Sequence, residues 1–503
     1  MTLSAPISQQ AMLDSPASSG GSSIGLTRVL ELDLFSTARG SVTAPAGCGK
    51  TQLVADTLKR HAEGKPTLVL THTNAGKAAL EARLSRGGVP KTAYRVSTID
   101  SWAVRMISRF PTRSGHDPSI LRLERPNVDY AAVRDAAWRL LSQGDVSDPL
   151  RATYGRLVVD EYQDCTVPQH NMIGWAAQVL PTYALGDPLQ AIFGFREPTV
   201  NWEHDVQKLF PHLGNLETPW RWRNAGAEGL GRWLLEARAS LLQGGSIDLR
   251  DAPGEVTWIQ LASNPSAAHR QRMNAARAKP PTREGTVLVI GDSMNPRGQQ
   301  EVASKTPGAT TVETVELRDL VSFGRSFDPS KAEALRELVD FSASMMVNLG
   351  ASELVRRAES LSRGTARKSA TSAESAACAF LAAPSLGTAV AALESFEDAP
   401  NVRVYRPEVL HVCKAAMRLA ARGQCTLYEA VVHARERHRH LGRATTRLAV
   451  GSTLLLKGLE ADVAVVLNPS AMNAQHLYVA LTRGAKRLVV CSERPVLTPA
   501  RST

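Results

Sequence analysis

The chain has 503 residues, of which 43% are hydrophobic and 21% are charged, and its formal net charge is +11. That length exceeds one ordinary hydrophobic core, so we expect two or three packed domains. Its six cysteines include no Cys-x-x-Cys pair, which argues against a disulfide scaffold and a zinc ribbon. No apolar run approaches the roughly 18–20 residues that span a bilayer, so we expect a soluble, cytoplasmic protein with no membrane partner.

The basic surplus favours a polyanionic partner, because lysine and arginine side chains release counterions when they neutralise phosphates. A merely basic, soluble surface would give the same net charge. Composition therefore leaves nucleic-acid binding as one of two open interpretations.

The chain begins with residues 1–24, which are rich in Ser, Gly, Ala and Pro, a composition typical of a disordered leader. From residue 25 onwards, short apolar runs alternate with helical patterns, the order typical of a parallel sheet. The predicted strands in this part are Ser41–Thr43, Thr67–Leu70 and Leu157–Val159. A mostly helical insert is predicted over residues 103–150, and the whole first domain over residues 25–215.

A second strand-bearing region begins near Leu216. Its clearest predicted strands are the apolar runs Val256–Leu261, Thr286–Ile290, Thr453–Leu456 and Val463–Leu467. Residues 329–440 lie between the second and third of these and are predicted to be helical. One sheet interrupted by a helical insert explains this order better than serial domains, so we predict a second domain over residues 216–503.

A phosphate-binding loop is predicted after the first strand. The sequence there is Ala44, Pro45, Ala46, Gly47, Cys48, Gly49, Lys50 and Thr51. An apolar run precedes it and a helical segment follows, which is the setting that a P-loop requires. Glycines let backbone N–H groups approach phosphates, and the helix N-terminus adds its dipole. We therefore predict ATP or GTP binding, with Lys50 on the β- and γ-phosphates and the Thr51 hydroxyl on Mg²⁺.

Two adjacent carboxylates, Asp160 and Glu161, follow the predicted strand Leu157–Val159. Such a junction is common by itself, but together with an upstream P-loop it indicates a hydrolysis site. Asp160 is predicted to complete the Mg²⁺ shell, and Glu161 to orient and deprotonate the attacking water.

Further segments resemble the sequence boxes of UvrD/Rep-like superfamily 1 DNA helicases. The resembling segments are Asp160–Asp164 (DExxD), Gly186–Arg196 (GDxxQxIYxFR), Lys457–Glu460 (KGLE) and Leu477–Arg483 (YVALTR). With the P-loop, they occur in the family's order from residue 44 to residue 483. The resemblance implies an α/β fold: two RecA-like P-loop NTPase domains, each a parallel sheet flanked by helices, with small helical insertions.

The resemblance also implies roles around the nucleotide. Gln190 would sense the γ-phosphate, and Arg483 would reach the site from the second domain. Arg221 fits the spacing of an earlier arginine box, with Arg223 as the alternative one register later. A planar, permanently charged guanidinium suits the charge that develops on a transferred phosphoryl group. For the nucleotide itself, Glu460 is expected to reach the ribose, and Tyr478 to pack near the nucleotide or strand.

The resemblance further implies a groove for single-stranded DNA. The expected contacts are Thr73, Asn74, Thr98, Trp102, Phe193, Phe195 and Ser452. Stacking of a base on an aromatic ring contributes about 1–3 kcal/mol, although each aromatic could instead be a plain core residue. Two departures from the family pattern stand out: Leu454 replaces a histidine, and no glutamine between residues 25 and 40 is placed to recognise adenine.

Three functions follow as hypotheses. The first is an ATP- and Mg²⁺-dependent 3′–5′ DNA helicase or translocase on single-stranded DNA, with duplex and RNA left open as partners. The second is a nucleotide-switched nucleic-acid-binding subunit that regulates a partner, for example a defence or repair nuclease, with little unwinding of its own. The third, a small-molecule kinase, is disfavoured because a kinase has no use for the boxes around Gln190 and Arg483.

Overall fold

The computed structural model describes residues 32–123, 125–194, 197–441 and 446–501. Within them the chain forms two six-stranded parallel sheets that are flanked by helices. This is the α/β architecture of two RecA-like domains, as the sequence predicted. The predicted leader, residues 1–24, lies outside the described residues.

The first sheet has the strand order β3-β2-β4-β5-β1-β6. Its strands are β1 (Arg39–Thr43), β2 (Thr67–Thr71), β3 (Tyr94–Thr98), β4 (Arg156–Val159), β5 (Thr182–Gly186) and β6 (His212–Asn215). Its helices are α1 (Lys50–Arg60), α2 (Asn74–Arg86), α3 (Ile99–Arg109), α4 (Pro111–Ser114), α5 (Pro126–Ser142), α6 (Ser147–Thr153), α7 (Val167–Ala176) and α8 (Gln207–Leu209). We call this part the first lobe.

Successive strand residues of the first lobe pack into two separate cores. Leu68 and Leu70 of β2 belong to the core on one face, and Val69 between them belongs to the core on the other. All five residues of β2 are buried, which explains its uninterrupted apolar sequence. The edge strand β3 was not predicted, because partly exposed residues interrupt its buried ones.

Helices also interrupt the first sheet, in the region where the sequence predicts an insert. Helices α3 to α6 fill the connection between β3 and β4, slightly beyond the predicted limits of residues 103–150. Apolar residues of α3, α5 and α6 belong to the core that covers one side of the first sheet.

The second sheet has the strand order β10-β13-β9-β14-β15-β8. Two helices and two short strands precede or follow it: α9 (Trp220–Asn224), α10 (Glu228–Leu242), β7 (Ile247–Asp248) and β16 (Val496–Leu497). The sheet and its own helices are β8 (Val256–Gln260), α11 (Pro265–Ala275), β9 (Val287–Gly291), α12 (Pro296–Lys305), β10 (Thr310–Thr311), β13 (Leu448–Ser452), α20 (Thr453–Leu456), β14 (Ala461–Val466), α21 (Ala474–Leu481) and β15 (Gly484–Ser492). Together with the insert below, this part is the second lobe.

A helical insert separates β10 from β13, as the sequence predicted. It consists of α13 (Arg318–Ser326), α14 (Ala334–Ala343), β11 (Met346–Val347), α15 (Ala351–Ser362), α16 (Ser372–Ala382), α17 (Leu386–Glu397), β12 (Arg403–Val404), α18 (Pro407–Ala420) and α19 (Leu427–Leu441). The insert has a hydrophobic core of its own. Where it joins the second sheet, buried Arg406 pairs with Glu313 at 2.8 Å and with Asp319 at 2.5 Å.

One predicted strand is wrong. Thr453–Leu456 forms the short helix α20, and the strand of that region is β13, which ends at Ser452. The Ser452 hydroxyl caps the helix by accepting a hydrogen bond from the Leu455 N–H at 3.3 Å. A threonine followed by three leucines fits a buried strand or a buried helical turn equally well, and the cap selects the turn.

The two lobes meet through β6 and α9. β6 is paired with β1 in the first sheet, whereas Trp222 of α9 packs in the core of the second lobe. Ala46 and Leu189 of the first lobe join that same core, so the lobes are in direct contact. Among the helices of the described ranges, none has both the length and the apolar character needed to cross a membrane.

Candidate active site

The P-loop joins β1 to α1 and is held from both sides. The Ala44 N–H donates to the Gly186 carbonyl at 2.8 Å, which fixes the loop to β5. Gly47 (φ 69°) and Gly49 (φ 90°) have left-handed backbone conformations that favour glycine. Helix α1 begins at Lys50, so its first N–H groups face the loop. This local geometry suits the cradling of phosphate groups.

Lys50 is buried between the two predicted catalytic carboxylates. Its Nζ lies 3.2 Å from Asp160 Oδ1 and also pairs with Glu161 Oε1. Burial alone would lower the pKa of Lys50, but the two carboxylates raise it above its usual value. A triphosphate on the loop would compete with these carboxylates for the ammonium group.

The two carboxylates have different electrostatic environments. Burial raises the pKa of Asp160, and the adjacent charge of Glu161 acts in the same direction. Burial would also raise the pKa of Glu161, but Lys50 and Lys457 lower it to about 2. Glu161 is therefore held ionised in this conformation.

Glu161 has an unusual backbone conformation. Its φ is 57° and its ψ is 39°, in the left-handed region that non-glycine residues seldom adopt. Strain of this kind clusters at functional sites, where the surrounding structure enforces it. The Gln163 amide donates to Glu161 Oε2 at 2.6 Å, and its oxygen accepts the Asp187 N–H at 3.1 Å. The carboxylate is thus fixed in position relative to the end of β5.

The second lobe covers the P-loop. The Arg221 N–H donates to the Gly47 carbonyl at 3.0 Å, and the Ala46 N–H donates to the Tyr478 hydroxyl at 3.2 Å. A Cβ added to Gly47 would lie 2.6 Å from the Trp222 ring. The predicted nucleotide residue Tyr478 therefore contacts the loop itself.

The two predicted arginines lie beside each other at this interface. Arg221 donates to the Thr482 carbonyl at 2.7 Å and pairs with Glu460, which the sequence assigned to the ribose. Arg483 donates to the Val479 carbonyl at 2.8 Å and to the Leu459 carbonyl at 3.1 Å. Both guanidinium groups are therefore occupied by partners within the second lobe.

Arg483 is almost fully buried, with 3% of its surface exposed. Burial lowers the pKa of Arg483 to about 10, and the positive charge of Arg221 acts in the same direction. Glu460 and Glu161 oppose that shift, which puts Arg483 within the electrostatic range of the first-lobe carboxylate. Arg483 directly follows Thr482, whose carbonyl accepts a hydrogen bond from Arg221 at this interface.

Lys457 of the KGLE-like segment crosses to the first lobe, which the sequence did not predict. Its Nζ lies 2.6 Å from both carboxylate oxygens of Asp164 and 2.5 Å from the Gln190 carbonyl. It also lies 4.7 Å from the centre of the Phe193 ring. Burial raises the pKa of Asp164 to about 6, although Lys457 opposes the shift.

Gln190, the predicted γ-phosphate sensor, is held by Asp187. The Gln190 amide donates to Asp187 Oδ2 at 3.0 Å. Asp187 is fully buried and pairs through Oδ1 with Arg238 of α10, at 2.9 Å. No sequence pattern pointed to Arg238, which lies outside every recognised box.

The predicted Mg²⁺ ligands fit such an ion. Thr51 and Asp160 offer hydroxyl and carboxylate oxygens, the donors that Mg²⁺ prefers. The Asp160 carboxylate uses one oxygen, Oδ1, both to contact Lys50 and to accept the Glu161 N–H. In the described part of the chain, no three His, Cys, Asp or Glu side chains cluster as a metal site.

The predicted nucleic-acid contacts separate into exposed and buried residues. Thr73 is exposed and caps α2, and Asn74 is partly exposed beside it. Phe193 is partly exposed, next to Lys457. Phe195 lies outside the described residues. These positions leave Thr73, Asn74 and Phe193 accessible to a strand.

Three other predicted contacts need correction. Trp102 is 4% exposed and packs in the first-lobe core, so its ring has no free face for a base. Thr98 is buried, and its hydroxyl is bonded to Ser101 at the start of α3. Ser452 is buried and caps α20. In this conformation all three have structural roles.

A sequence comparison finds a known domain family in the first lobe. Residues 34–196 match a family described as an AAA domain. The match supports a P-loop AAA-type domain, a type found in UvrD/Rep-like helicases. It covers less than half of the chain, from before β1 to the end of the Gln190 segment. No curated protein matches the chain.

Proposed function

We propose that the protein hydrolyses ATP in the cleft between its lobes and uses that cycle to move along single-stranded DNA in the 3′–5′ direction. One observation carries the proposal: the P-loop and its carboxylates meet Arg221, Lys457 and Tyr478 of the other lobe at one interface. A nucleotide bound there is sensed by both lobes. The proposed domains are residues 25–215 and 216–503.

Lys50 has the first task. Its ammonium group would leave Glu161 for the β- and γ-phosphates of ATP, as in other P-loop sites. Losing that cation would let burial raise the pKa of Glu161 from its low value, which makes it a better base for the attacking water. Without ATP, Glu161 stays paired and is a poor base.

The second lobe supplies positive charge to the transferred phosphoryl group. Arg221 and Arg483 would exchange their present carbonyl and carboxylate partners for phosphate oxygens. Bound Mg²⁺, held by Thr51 and Asp160, would neutralise phosphate charge. After hydrolysis, the arginines lose the γ-phosphate and return to their own lobe.

A change in the separation of the lobes would move the bound single-stranded DNA, which would contact exposed residues of the first lobe. Thr73, Asn74 and Phe193 are the residues accessible there. Phe193 contacts the cross-lobe cation Lys457, so its position depends on closure. The 3′–5′ direction and the choice of DNA rest on the resemblance alone.

A second function is favoured by one observation. Thr98, Trp102 and Ser452 are buried, which leaves few of the expected strand contacts available. The chain could then act as a nucleotide-switched subunit that binds nucleic acid weakly and regulates a partner such as a nuclease. Its two states would be the open and closed lobes.

The test is ATP hydrolysis by the full chain with Mg²⁺, measured without nucleic acid and with single-stranded DNA, single-stranded RNA or duplex. We expect stimulation by single-stranded DNA and displacement of an annealed strand from a 3′-tailed duplex. Hydrolysis without displacement would support the switch. Absence of hydrolysis under every condition would contradict both functions.

A further inference from the structure

The pair formed by Arg238 and Asp187 joins the lobes, and neither residue has a role in the proposed phosphate contacts. Arg238 lies on α10, whose apolar residues pack in the second-lobe core, and Asp187 directly follows β5 of the first sheet. The Nη2 and Nε atoms of Arg238 lie 2.9 Å and 3.2 Å from Asp187 Oδ1. The exposed side-chain fractions are 14% for Arg238 and 0% for Asp187.

The same carboxylate also holds the predicted γ-phosphate sensor. Asp187 Oδ1 accepts the Leu189 N–H at 3.2 Å, which starts the turn containing Gln190. Asp187 Oδ2 accepts the Gln190 amide at 3.0 Å. One oxygen therefore faces the second lobe, while the other fixes the Gln190 side chain.

A buried carboxylate keeps this geometry only while its charge is compensated. Separation of the lobes would take Arg238 away from Asp187, and water or another donor would replace it. The carboxylate could then reorient, and Gln190 would lose its fixed position. Closure restores the pair and with it the placement of the Gln190 amide.

We propose that Arg238 is a positioning residue that makes the orientation of Gln190, through Asp187, depend on lobe closure. The inference rests on the proposed ATP hydrolysis. Arg238 does not contact the nucleotide; it sets how well Gln190 is aimed at the γ-phosphate in the closed state. Misplacement of a catalytic group by about 1 Å can cost about a hundredfold in rate.

The first test replaces Arg238 with Met, which keeps an apolar stem of similar length. We expect kcat for DNA-stimulated ATP hydrolysis to fall by about ten- to a hundredfold, with KM for ATP changed by less than about threefold. Arg238→Lys should recover part of the rate, because it restores a cation to Asp187. The matched control is Arg232→Met on the same helix, since Arg232 is 70% exposed and pairs with the partly exposed Glu228.

The second test asks whether Arg238 acts through Gln190. In a Gln190→Ala background, Arg238→Met should lower kcat by less than about threefold further, because the group it positions is already gone. Independent effects would multiply instead, and that result would overturn the proposal. A kcat for Arg238→Met equal to that of the wild type would overturn it as well.

Two further outcomes are separable. If the wild type hydrolyses no ATP under any condition, the proposed function fails before Arg238 is tested. If Arg238→Met does not fold, Arg238→Gln carries the same test, because it removes the charge and keeps a hydrogen-bond donor; an unchanged kcat in that variant would overturn the inference.

Discussion

The two lobes have sheets of the same size and strand direction but contribute opposite charges to their shared interface. The first lobe contributes buried or half-buried carboxylates at Asp160, Glu161, Asp164 and Asp187. The second lobe contributes cations at Arg221, Arg238, Lys457 and Arg483. Lys50 is a cation of the first lobe that lies between two of these carboxylates, and it is the residue that would bind the phosphates.

This division has a physical consequence. Charges of one sign that are buried in one lobe are costly unless the other lobe compensates them. Closure provides that compensation for Asp164 and Asp187, which pair with Lys457 and Arg238 of the second lobe, and opening replaces these cations with water. Asp160 and Glu161 pair with Lys50 of their own lobe, and a triphosphate would compete for that cation. The chemistry and the movement therefore depend on the same contacts, and the following changes test each side of the division.

The largest effect is expected at the first-lobe cation. Lys50→Ala should reduce ATP hydrolysis by about 10³-fold or to background, since it removes the group that binds the β- and γ-phosphates. Lys59→Ala on the same helix is the control, because Lys59 is exposed and should leave the rate unchanged. Full DNA-stimulated hydrolysis by Lys50→Ala would show that the site assignment is wrong.

The next effect concerns the buried pair that crosses the lobes. Lys457→Met should lower the free energy of unfolding by about 3 kcal/mol, because Asp164 is left buried without its cation. Lys305→Met removes a cation from Glu301 in a pair with both side chains about half exposed, and should cost less than about 1 kcal/mol. Chemical denaturation of both variants measures the difference; equal losses would contradict a special role for the cross-lobe pair.

On the second-lobe side, Arg483→Ala should lower kcat by about a hundredfold while nucleotide binding is retained. Arg483→Lys should not restore the rate, because an ammonium group lacks the planar fork of donors that the guanidinium offers. The control is Arg487→Ala, an exposed arginine on β15. Steady-state hydrolysis and equilibrium binding of a non-hydrolysable ATP analogue separate the two quantities, and loss of binding with kcat intact would argue against this role.

The smallest effect is expected at the strand-binding edge. Phe193→Ala should weaken affinity for single-stranded DNA by about tenfold, within the range of one lost base stack. Tyr428→Ala in the helical insert is the control, since Tyr428 is also partly exposed but lies beside Arg325 of α13, within the insert. Fluorescence anisotropy with a labelled oligonucleotide measures both; equal affinities for Phe193→Ala and wild type would remove Phe193 from the groove.

The sequence predicted features that local pattern encodes. The P-loop is set by glycines that need left-handed φ values and by a helix start at Lys50, so the motif and its conformation are inseparable. The carboxylates Asp160 and Glu161 follow a continuous apolar strand, which places them at the carboxyl end of an interior strand of the sheet. Both helical inserts were also predicted, because each interrupts a sheet with a long segment of helical pattern.

Long-range packing decided what the sequence could not predict. Trp102 is an aromatic residue of the kind that stacks on bases, but the neighbouring helices of the first lobe enclose it in the core. The apolar run Thr453–Leu456 has no period of its own, and the Ser452 cap makes it helical. Arg238 is one of two arginines in the amphipathic helix α10, and nothing local distinguishes it from the other, exposed Arg232.

The most direct test of the shared site is a structure of the full chain with Mg²⁺ and a non-hydrolysable ATP analogue. We expect that Lys50 Nζ leaves Glu161 for the β- and γ-phosphates, and that Arg221 and Arg483 come within hydrogen-bonding distance of the γ-phosphate. A nucleotide bound by the first lobe alone, with Arg221 still on Glu460 and Arg483 still on the Val479 carbonyl, would contradict it.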